Sequence, residues 1–152
     1  MNSLVSVLTP VYNEKHTLRK SISRIQDALC SYRFEIIIVD DNSPDGTGKI
    51  ADSLSESFSN ISVVHRSGKQ GLGTAYKEAF QYAKGGIIVS IDSDLSHDPS
   101  YLPRMIELTE NFDIVIGSRL CNGGRIVGRS FTRDLASYLT NFFYNSGLVG
   151  PC

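Results

Sequence analysis

The sequence of 152 residues has no tryptophan, three cysteines and no long apolar run. The cysteines, Cys30, Cys121 and Cys152, are odd in number and form no C-x-x-C pair, which argues against a disulfide framework or a zinc site. No apolar stretch approaches the roughly 20 residues that span a bilayer, and the N-terminus lacks the basic start of a signal peptide. We therefore expect a cytoplasmic protein.

A charge excess of either sign is also missing. Lysine and arginine together number 15 and aspartate and glutamate 16, so the formal net charge is −1. No basic field favours a nucleic-acid partner. The hydrophobic fraction of 41% is ordinary for one soluble domain.

Several common catalytic and nucleotide-binding motifs are absent as well. There is no G-x-S-x-G, and no cysteine is evidently paired with a histidine base. Gly71-Leu72-Gly73-Thr74-Ala75-Tyr76 lacks the third glycine of a dinucleotide fingerprint, and Gly46-Thr47-Gly48-Lys49 lacks the spacing of a P-loop. The glycines at 71–73 are compatible with a plain tight turn or with backbone approaching a ligand at a helix N-terminus.

Short runs rich in valine and isoleucine alternate with amphipathic segments. The runs predict strands at residues 4–9, 34–40, 61–65, 86–91 and 112–117. Apolar stripes predict helices through Leu18 to Leu29, Ile50 to Phe58 and Ala75 to Tyr82, from Pro99 to about residue 109, and over about 132–144. Residues 118–129 are glycine-rich and are expected to form a mobile loop. This alternation predicts an α/β fold with a mostly parallel sheet flanked by helices.

Polar residues follow every predicted strand. Because ligands bind beyond the carboxyl ends of parallel strands, we expect these residues to meet at one edge of the sheet. These polar segments are Pro10 to Glu14, Asp40 to Gly46, Arg66 to Gly73, Asp92 to Asp98 and Ser118-Arg119.

Asp92-Ser93-Asp94 directly follows the fourth predicted strand. Mg²⁺ and Mn²⁺ prefer carboxylate oxygens together with substrate phosphates, so both carboxylates are candidate metal ligands. A solvated acidic turn that caps the next helix is the alternative. The position opposite four other polar strand ends favours the metal site.

Asp40-Asp41 closes the second predicted strand, and a carboxylate there, Asp41 before Asp40, can accept hydrogen bonds from a base or a ribose. The segment 41–46 also has the composition of a turn and helix cap, and the two roles are compatible. Four late arginines, Arg119, Arg125, Arg129 and Arg133, suit phosphate oxygens or a solvated basic surface.

The chain resembles glycosyltransferase family 2, and within it the dolichyl-phosphate mannose synthase group. The resemblance runs from about residue 5 to residue 133. The matching segments are Pro10-Val11-Tyr12-Asn13-Glu14, Ile38 to Thr47, Gly71 to Tyr76, Asp92-Ser93-Asp94-Leu95-Ser96-His97-Asp98-Pro99 and Ile116-Gly117-Ser118-Arg119.

This resemblance implies a Rossmann-like fold of the A type for nucleotide-diphospho-sugar transferases. It implies a GDP-mannose donor, a Mg²⁺ or Mn²⁺ ion and a polyprenyl-phosphate acceptor such as dolichyl phosphate. By family position, the nucleotide-sugar residues are Pro10, Tyr12, Glu14, Val39, Asp41, Asp92, Ser93 and Asp94. Asp92 and Asp94 are the implied metal ligands, and Asp94, Arg119 and Arg133 the implied catalytic residues, with both arginines on the acceptor phosphate.

The family continues beyond Cys152 into an Asp-Pro-x-Ser-Gly segment that completes the acceptor site, and Ser96 stands where some relatives have glutamine. We therefore expect residues 1–152 to form one glycosyltransferase domain without that part. Its function would be inverting, metal-dependent transfer of mannose at the cytoplasmic face of a membrane, with peripheral contact through residues 123–133.

Three alternatives share some of these features. The chain could bind a nucleotide sugar without turnover, or need a protein partner that completes the acceptor site. A related transferase would use UDP-glucose or UDP-N-acetylglucosamine. A signalling receiver domain would share the acidic strand end, but it needs a lysine after the fifth strand, where this sequence has Gly117-Ser118-Arg119.

Overall fold

The computed structural model describes residues 3–118. The chain separates into two compact units, residues 1–115 and residues 116–152, and the helices and strands of the described residues all belong to the first unit. The predicted last helix and most of the predicted loop at 118–129 fall outside the described residues, as do Arg119 and Arg133. The single-domain expectation remains a prediction.

Four strands and four α-helices alternate along the described part of the chain. The strands are β1 (Val5–Val11), β2 (Phe34–Asp40), β3 (Ile61–His65) and β4 (Ile87–Ser90). The helices are α1 (Leu18–Ala28), α2 (Thr47–Ser57), α3 (Leu72–Tyr82) and α4 (Leu102–Leu108), the last preceded by a 3₁₀ turn at Pro99–Tyr101. None of the helices within residues 3–118 has both the length and the apolar character needed to cross a bilayer.

The strands form one parallel sheet in the order β3-β2-β1-β4. The chain adds β2 and β3 on one side of β1 and then crosses to add β4 on the other side. The strand order therefore reverses between β1 and β4, and in open α/β sheets ligands bind beyond the carboxyl ends of the strands at such a point. The α/β fold with a parallel sheet flanked by helices is confirmed.

Alternate residues of the central strands supply two apolar layers. Val5 and Val7 of β1 belong to the larger layer, and Leu8 belongs to the smaller one with α3. The predicted stripe of α1 is confirmed, because Leu18, Ile22, Ile25 and Leu29 are all fully buried. The two layers pack against opposite faces of β1 and β2, the central strands of the sheet.

The prediction of a fifth strand at residues 112–117 was wrong. The segment has no strand geometry, and the side chains of Phe112 and Ile114 are 59% and 77% exposed. A strand requires a ladder partner, and among the described residues β4 pairs only with β1. The buried faces of α2 and α3 also stop before the last residues of the predicted apolar stripes, because Phe58 and Tyr82 are exposed at the ends of these helices.

Candidate functional site

An open cleft of about 280 Å³ lies where the strand order reverses. The end of β1 forms one wall and the segment after β4 forms the other. Most of the nucleotide-sugar residues implied by the resemblance line this cleft: Pro10, Tyr12, Glu14, Asp41, Asp92, Ser93 and Asp94. Asp41 and Asp94 therefore border a common cavity, although they are more than 50 residues apart in sequence.

Val39 is the exception among these residues. Its side chain is fully buried with Leu8 and Ile37 in the smaller apolar layer, and the structure does not place it on the cleft. Its main chain is paired within the sheet on both sides. Arg119 and Arg133 lie outside the described residues, so their contact with an acceptor phosphate remains a prediction.

Hydrogen bonds tie the loop after β1 to the loop after β2. Three consecutive backbone N–H groups of the first loop donate to side-chain oxygens of the second loop and of the first residue of α2. The pairs are Asn13 N to Ser43 Oγ at 3.1 Å, Glu14 N to Thr47 Oγ1 at 2.9 Å and Lys15 N to Asp45 Oδ2 at 3.1 Å. These bonds hold the two loops together next to Glu14, which lines the cleft.

Asp45 also holds the first turn of α2. Its Oδ1 accepts hydrogen bonds from the backbone N–H and the hydroxyl of Thr47, at 2.9 and 2.6 Å. Desolvation raises the pKa of Asp45, but these bonds and the one from Lys15 outweigh it, and the net pKa is lowered. The segment 41–46 therefore forms the turn that leads into α2, whose N-cap residue Gly46 makes no side-chain capping bond, while Asp41 lines the cleft.

Asp92 is held by a tyrosine of α3. The Tyr76 hydroxyl donates to Asp92 Oδ1 over 3.1 Å, and Tyr76 is partly buried. Burial, and then the negative charge of Asp92 and the hydrogen bond to it, raises the pKa of Tyr76 far above its ordinary value. Tyr76 therefore stays protonated and orients the carboxylate of Asp92.

Asp94 is exposed and forms a local turn. Its Oδ1 accepts a hydrogen bond of 2.8 Å from Ser96 N. Although desolvation raises the pKa of Asp94, hydrogen bonds with Ser96 and the charge of His97 lower it overall. Asp94 is consequently ionised at neutral pH, the form that binds a cation.

Ser93 lies between the two acids. It is 2% exposed, and its Oγ has no hydrogen-bond partner among the described residues. A buried hydroxyl left unpaired is costly, so an orphaned one on a cleft wall points to a ligand that supplies its partner.

The chemistry of the donor set fits a divalent cation that shares its ligands with a substrate. Within residues 3–118, no group of three or more histidine, cysteine, aspartate or glutamate side chains could hold a metal ion alone. Asp92 and Asp94 supply two carboxylates. Mg²⁺ and Mn²⁺ sites commonly use one or two carboxylates and complete the shell with phosphate oxygens and water.

Left-handed backbone follows three of the strand ends. Asn13, Asn42 and Leu95 have φ angles of 60°, 59° and 64°. Asparagine adopts this conformation readily, whereas for leucine it costs about 1–2 kcal/mol. The strain at Leu95 lies directly after Asp94, and strain of this kind concentrates at functional sites.

Three residues that shape this site had no role predicted from the sequence. Lys69 and Leu72 line the cleft, and Lys69 Nζ lies 4.5 Å from the centroid of the Tyr12 ring, a cation–π contact. Arg66 is buried and forms an ion pair with Asp41. All three belong to the segment from Arg66 to Gly73, which is among the polar segments that follow the predicted strands, but the sequence pattern gives these three residues no individual role.

His65 ends β3 and pairs with two acids outside the cleft lining. Its Nε2 lies 2.8 Å from Asp52 Oδ1, and its Nδ1 lies 3.5 Å from Asp40 Oδ2. The hydrogen bond to Asp52 raises the pKa of His65 above the ordinary value of 6.5; partial burial opposes this, and the charges of Asp52 and Asp40 add to it.

We expect His65→Gln to lower the free energy of unfolding at about pH 5.5 and to have little effect at about pH 8.5. Because the folded-state pKa is raised, the stabilisation is fully present below the unfolded-state pKa and is lost as pH rises through the folded-state pKa. The effect should be at most about 1 kcal/mol, because the side chain of His65 is 48% exposed. Urea unfolding at the two pH values measures it.

His16→Gln is the control, because His16 is exposed and has no ion pair among the described residues. Equal losses in the two variants, or a His65→Gln loss that grows with pH, would contradict the linkage.

Comparison with known proteins agrees with this geometry. The model of the family described as "Glycosyl transferase family 2" matches residues 6–147. A dolichol-phosphate mannosyltransferase of Pyrococcus furiosus is 41% identical over 134 residues, which are 88% of this chain and 38% of that protein. An undecaprenyl-phosphate mannosyltransferase of Micrococcus luteus is 37% identical over 91% of this chain and 58% of its own length. This chain thus spans roughly two fifths to three fifths of these relatives.

A solved structure is also similar. The mannosyltransferase PcManGT from Pyrobaculum calidifontis, in complex with GDP-Man and Mn²⁺, matches with a TM-score of 0.63 and 25% identity. The match covers 70% of this chain and 32% of that one. The parallel sheet, the cleft at its strand-order reversal and the family match lead to one conclusion: the chain is a member of glycosyl transferase family 2.

Proposed function

We propose that this chain binds GDP-mannose together with Mg²⁺ or Mn²⁺ and forms the donor site of an inverting glycosyltransferase that delivers mannose to a polyprenyl phosphate. The names of the relatives in Pyrococcus furiosus and Micrococcus luteus support the sugar and the class of acceptor. The ligands of the Pyrobaculum calidifontis structure support the donor and the metal.

The observation that carries the proposal is the cleft between the ends of β1 and β2 and the segment after β4. Asp41 lies at its β2 side, where a carboxylate suits a base or ribose. Asp92 and Asp94 lie beyond β4, where carboxylates suit a cation on a diphosphate. A nucleoside diphosphate joins a base and ribose to a diphosphate in one molecule.

In this proposal Asp92 and Asp94 would hold the metal, and the Ser93 hydroxyl would donate a hydrogen bond to the nucleotide sugar. A divalent ion bound there would neutralise charge on the departing diphosphate. Tyr76 keeps Asp92 oriented through its hydrogen bond. These residues position the donor and stabilise charge, which are the main contributions an enzyme can make to this reaction.

The acceptor needs little activation. A lipid phosphate is anionic at neutral pH, so its oxygen attacks the anomeric carbon without a strong general base, and the bond to the nucleotide diphosphate breaks on the opposite face. Arg119 and Arg133 would contact the acceptor phosphate, and the protein would lie peripherally at the cytoplasmic face of the membrane.

Calorimetry with a panel of sugar nucleotides tests the donor. We expect the purified chain to bind GDP-mannose in the presence of Mn²⁺ and to lose binding with EDTA. UDP-glucose and UDP-N-acetylglucosamine should bind more weakly. No binding of any of the three in Mn²⁺ would refute the proposal, and preference for a UDP sugar would reassign the donor.

Transfer is measured separately, with labelled GDP-mannose and polyprenyl phosphate in vesicles. Labelled lipid formed by this chain alone would establish turnover. Donor binding without transfer would support a binding module, or a site that a protein partner completes.

A further inference from the structure

The guanidinium of Arg66 is buried at the back of the cleft. Arg66 follows β3, and its backbone N–H donates to Asp40 O over 2.9 Å, which extends the ladder by one bond. Its side chain is 2% exposed, and Arg66 is not part of the cleft lining. Because a buried charge is expensive unless it is paired, the contacts of this group indicate what holds it there.

Two carboxylates from different elements flank Arg66. Nη1 lies 2.6 Å from Asp41 Oδ1, and Nε lies 3.0 Å from Glu78 Oε2 in α3 without the alignment of a hydrogen bond. Nη2 donates to Gln70 Oε1 over 3.3 Å and to Thr74 Oγ1 over 2.7 Å. A single planar group therefore connects the end of β2 to the start of α3.

The contact with Asp41 concerns the proposed donor site directly. Asp41 lines the cleft, and its carboxylate is 8% exposed. Arg66 holds Oδ1 from behind, whereas Oδ2 has no hydrogen-bond partner among residues 3–118. A carboxylate fixed through one oxygen presents the other in a single direction, as a preorganised acceptor does.

The contacts with Gln70 and Thr74 concern the segment between β3 and the first turn of α3. Lys69 and Leu72, which line the cleft, lie in the same segment. Moving the guanidinium would therefore shift Asp41 and this segment together.

We propose that Arg66 is a positioning residue for the nucleoside half of the donor, acting through Asp41. This rests on the proposed function. Lysine at this position would keep the charge, but a single ammonium cannot reproduce the planar fork that reaches Asp41, Glu78 and Thr74 together. The role thus depends on the shape of the guanidinium as well as on its charge.

The test compares two ligands, each with Mn²⁺: GDP, and pyrophosphate, which has no nucleoside. We expect Arg66→Lys to weaken GDP binding by about 10- to 100-fold, the cost of a displaced site group, and to leave pyrophosphate binding unchanged. Glu78→Gln is the matched control, because it removes the other charged partner of Arg66 without touching the cleft. It should change GDP binding much less.

A double-mutant cycle tests whether Arg66 acts through Asp41. If it does, adding Arg66→Lys to Asp41→Asn should cause little further loss of GDP binding, since coupled residues are not additive. Full additivity would overturn the inference, as would unchanged GDP binding in Arg66→Lys or an equal loss for both ligands, which indicates general loosening.

Thr74→Val covers the case in which Arg66→Lys does not fold. It removes one acceptor of Nη2 at an exposed position and should weaken GDP selectively by a smaller factor. Unchanged GDP binding in this variant would then count against the inference. If the parent chain binds no guanosine nucleotide in Mn²⁺, both the proposed function and the role of Arg66 are refuted. If the parent chain binds GDP and the variants bind it equally well, only the role of Arg66 is refuted.

Discussion

Asp94→Ala should abolish the Mn²⁺-dependent part of GDP-mannose binding, a loss of about 100-fold or more because a bound metal contributes several kcal/mol. Asp94 lines the cleft, is ionised at neutral pH and precedes a strained residue. Asp94→Asn should lose Mn²⁺-dependent binding as well. Its amide oxygen can still accept from Ser96 N, but the negative charge that binds the cation is gone. Calorimetry with and without EDTA measures both.

Asp98 is a control for the loss of a local turn, although its Oδ1 also accepts from Arg24 Nη2 over 3.0 Å. Its Oδ1 accepts from Ser100 N over 3.1 Å, the same local turn that Asp94 forms with Ser96, but it lies outside the cleft lining. Asp98→Ala loses a turn of the same kind and should keep Mn²⁺-dependent binding, whereas Asp94→Ala also removes a carboxylate that lines the cleft and should lose it. Unchanged metal-dependent binding in Asp94→Ala would end the metal assignment.

The place of Asp94 on the cleft could be predicted from the sequence, because it follows from the topology of the sheet. Short β-branched runs separated by amphipathic segments predict a parallel sheet, and parallel strands bring their carboxyl ends to one edge. The bounds of β2 and β3 agreed with the prediction to the residue. Asp41 and Asp92 were placed on the cleft by the same reasoning, without knowledge of any side-chain contact.

Other features depend on contacts that a local pattern does not contain. The run at residues 112–117 has the composition of a strand but no partner in the described sheet. Val39 belongs to a site motif, yet it is within β2 and its side chain enters the core. Arginine is seldom buried, so the sequence gives no reason to place Arg66 inside the protein. Its burial is explained only by its pairing with Asp41 and Glu78.

Gly85→Ala should cost about 1–3 kcal/mol of unfolding free energy, the usual penalty of overpacking a rigid core. A methyl group at Gly85 would collide with the carbonyl oxygen of Leu4 and lie 2.8 Å from Ser6 N and Ser6 Oγ. Ser6 is fully buried in the central strand β1, and its hydroxyl accepts from Gly85 N and donates to Glu35, so neither side can yield cheaply.

Gly86→Ala provides the comparison at the adjacent position. A methyl group there meets nothing within 4 Å, and the stability should change by no more than about 0.5 kcal/mol. Urea unfolding followed by circular dichroism gives both values. Equal stability of the two variants would show that β4 can shift along β1 without cost.

The same pair of variants links the sheet to the site. Gly85 lies just before β4, which pairs with β1 from Val5↔Ile87 to Leu8↔Ser90 and leads into Asp92. A shift of β4 to relieve the collision would move Asp92 and Asp94 relative to the β1 wall of the cleft. Gly85→Ala should therefore also weaken Mn²⁺-dependent donor binding under conditions where the chain is still folded, while Gly86→Ala should not. Destabilisation with fully retained binding would mean that the strain is absorbed near Gly85 and does not reach the metal ligands.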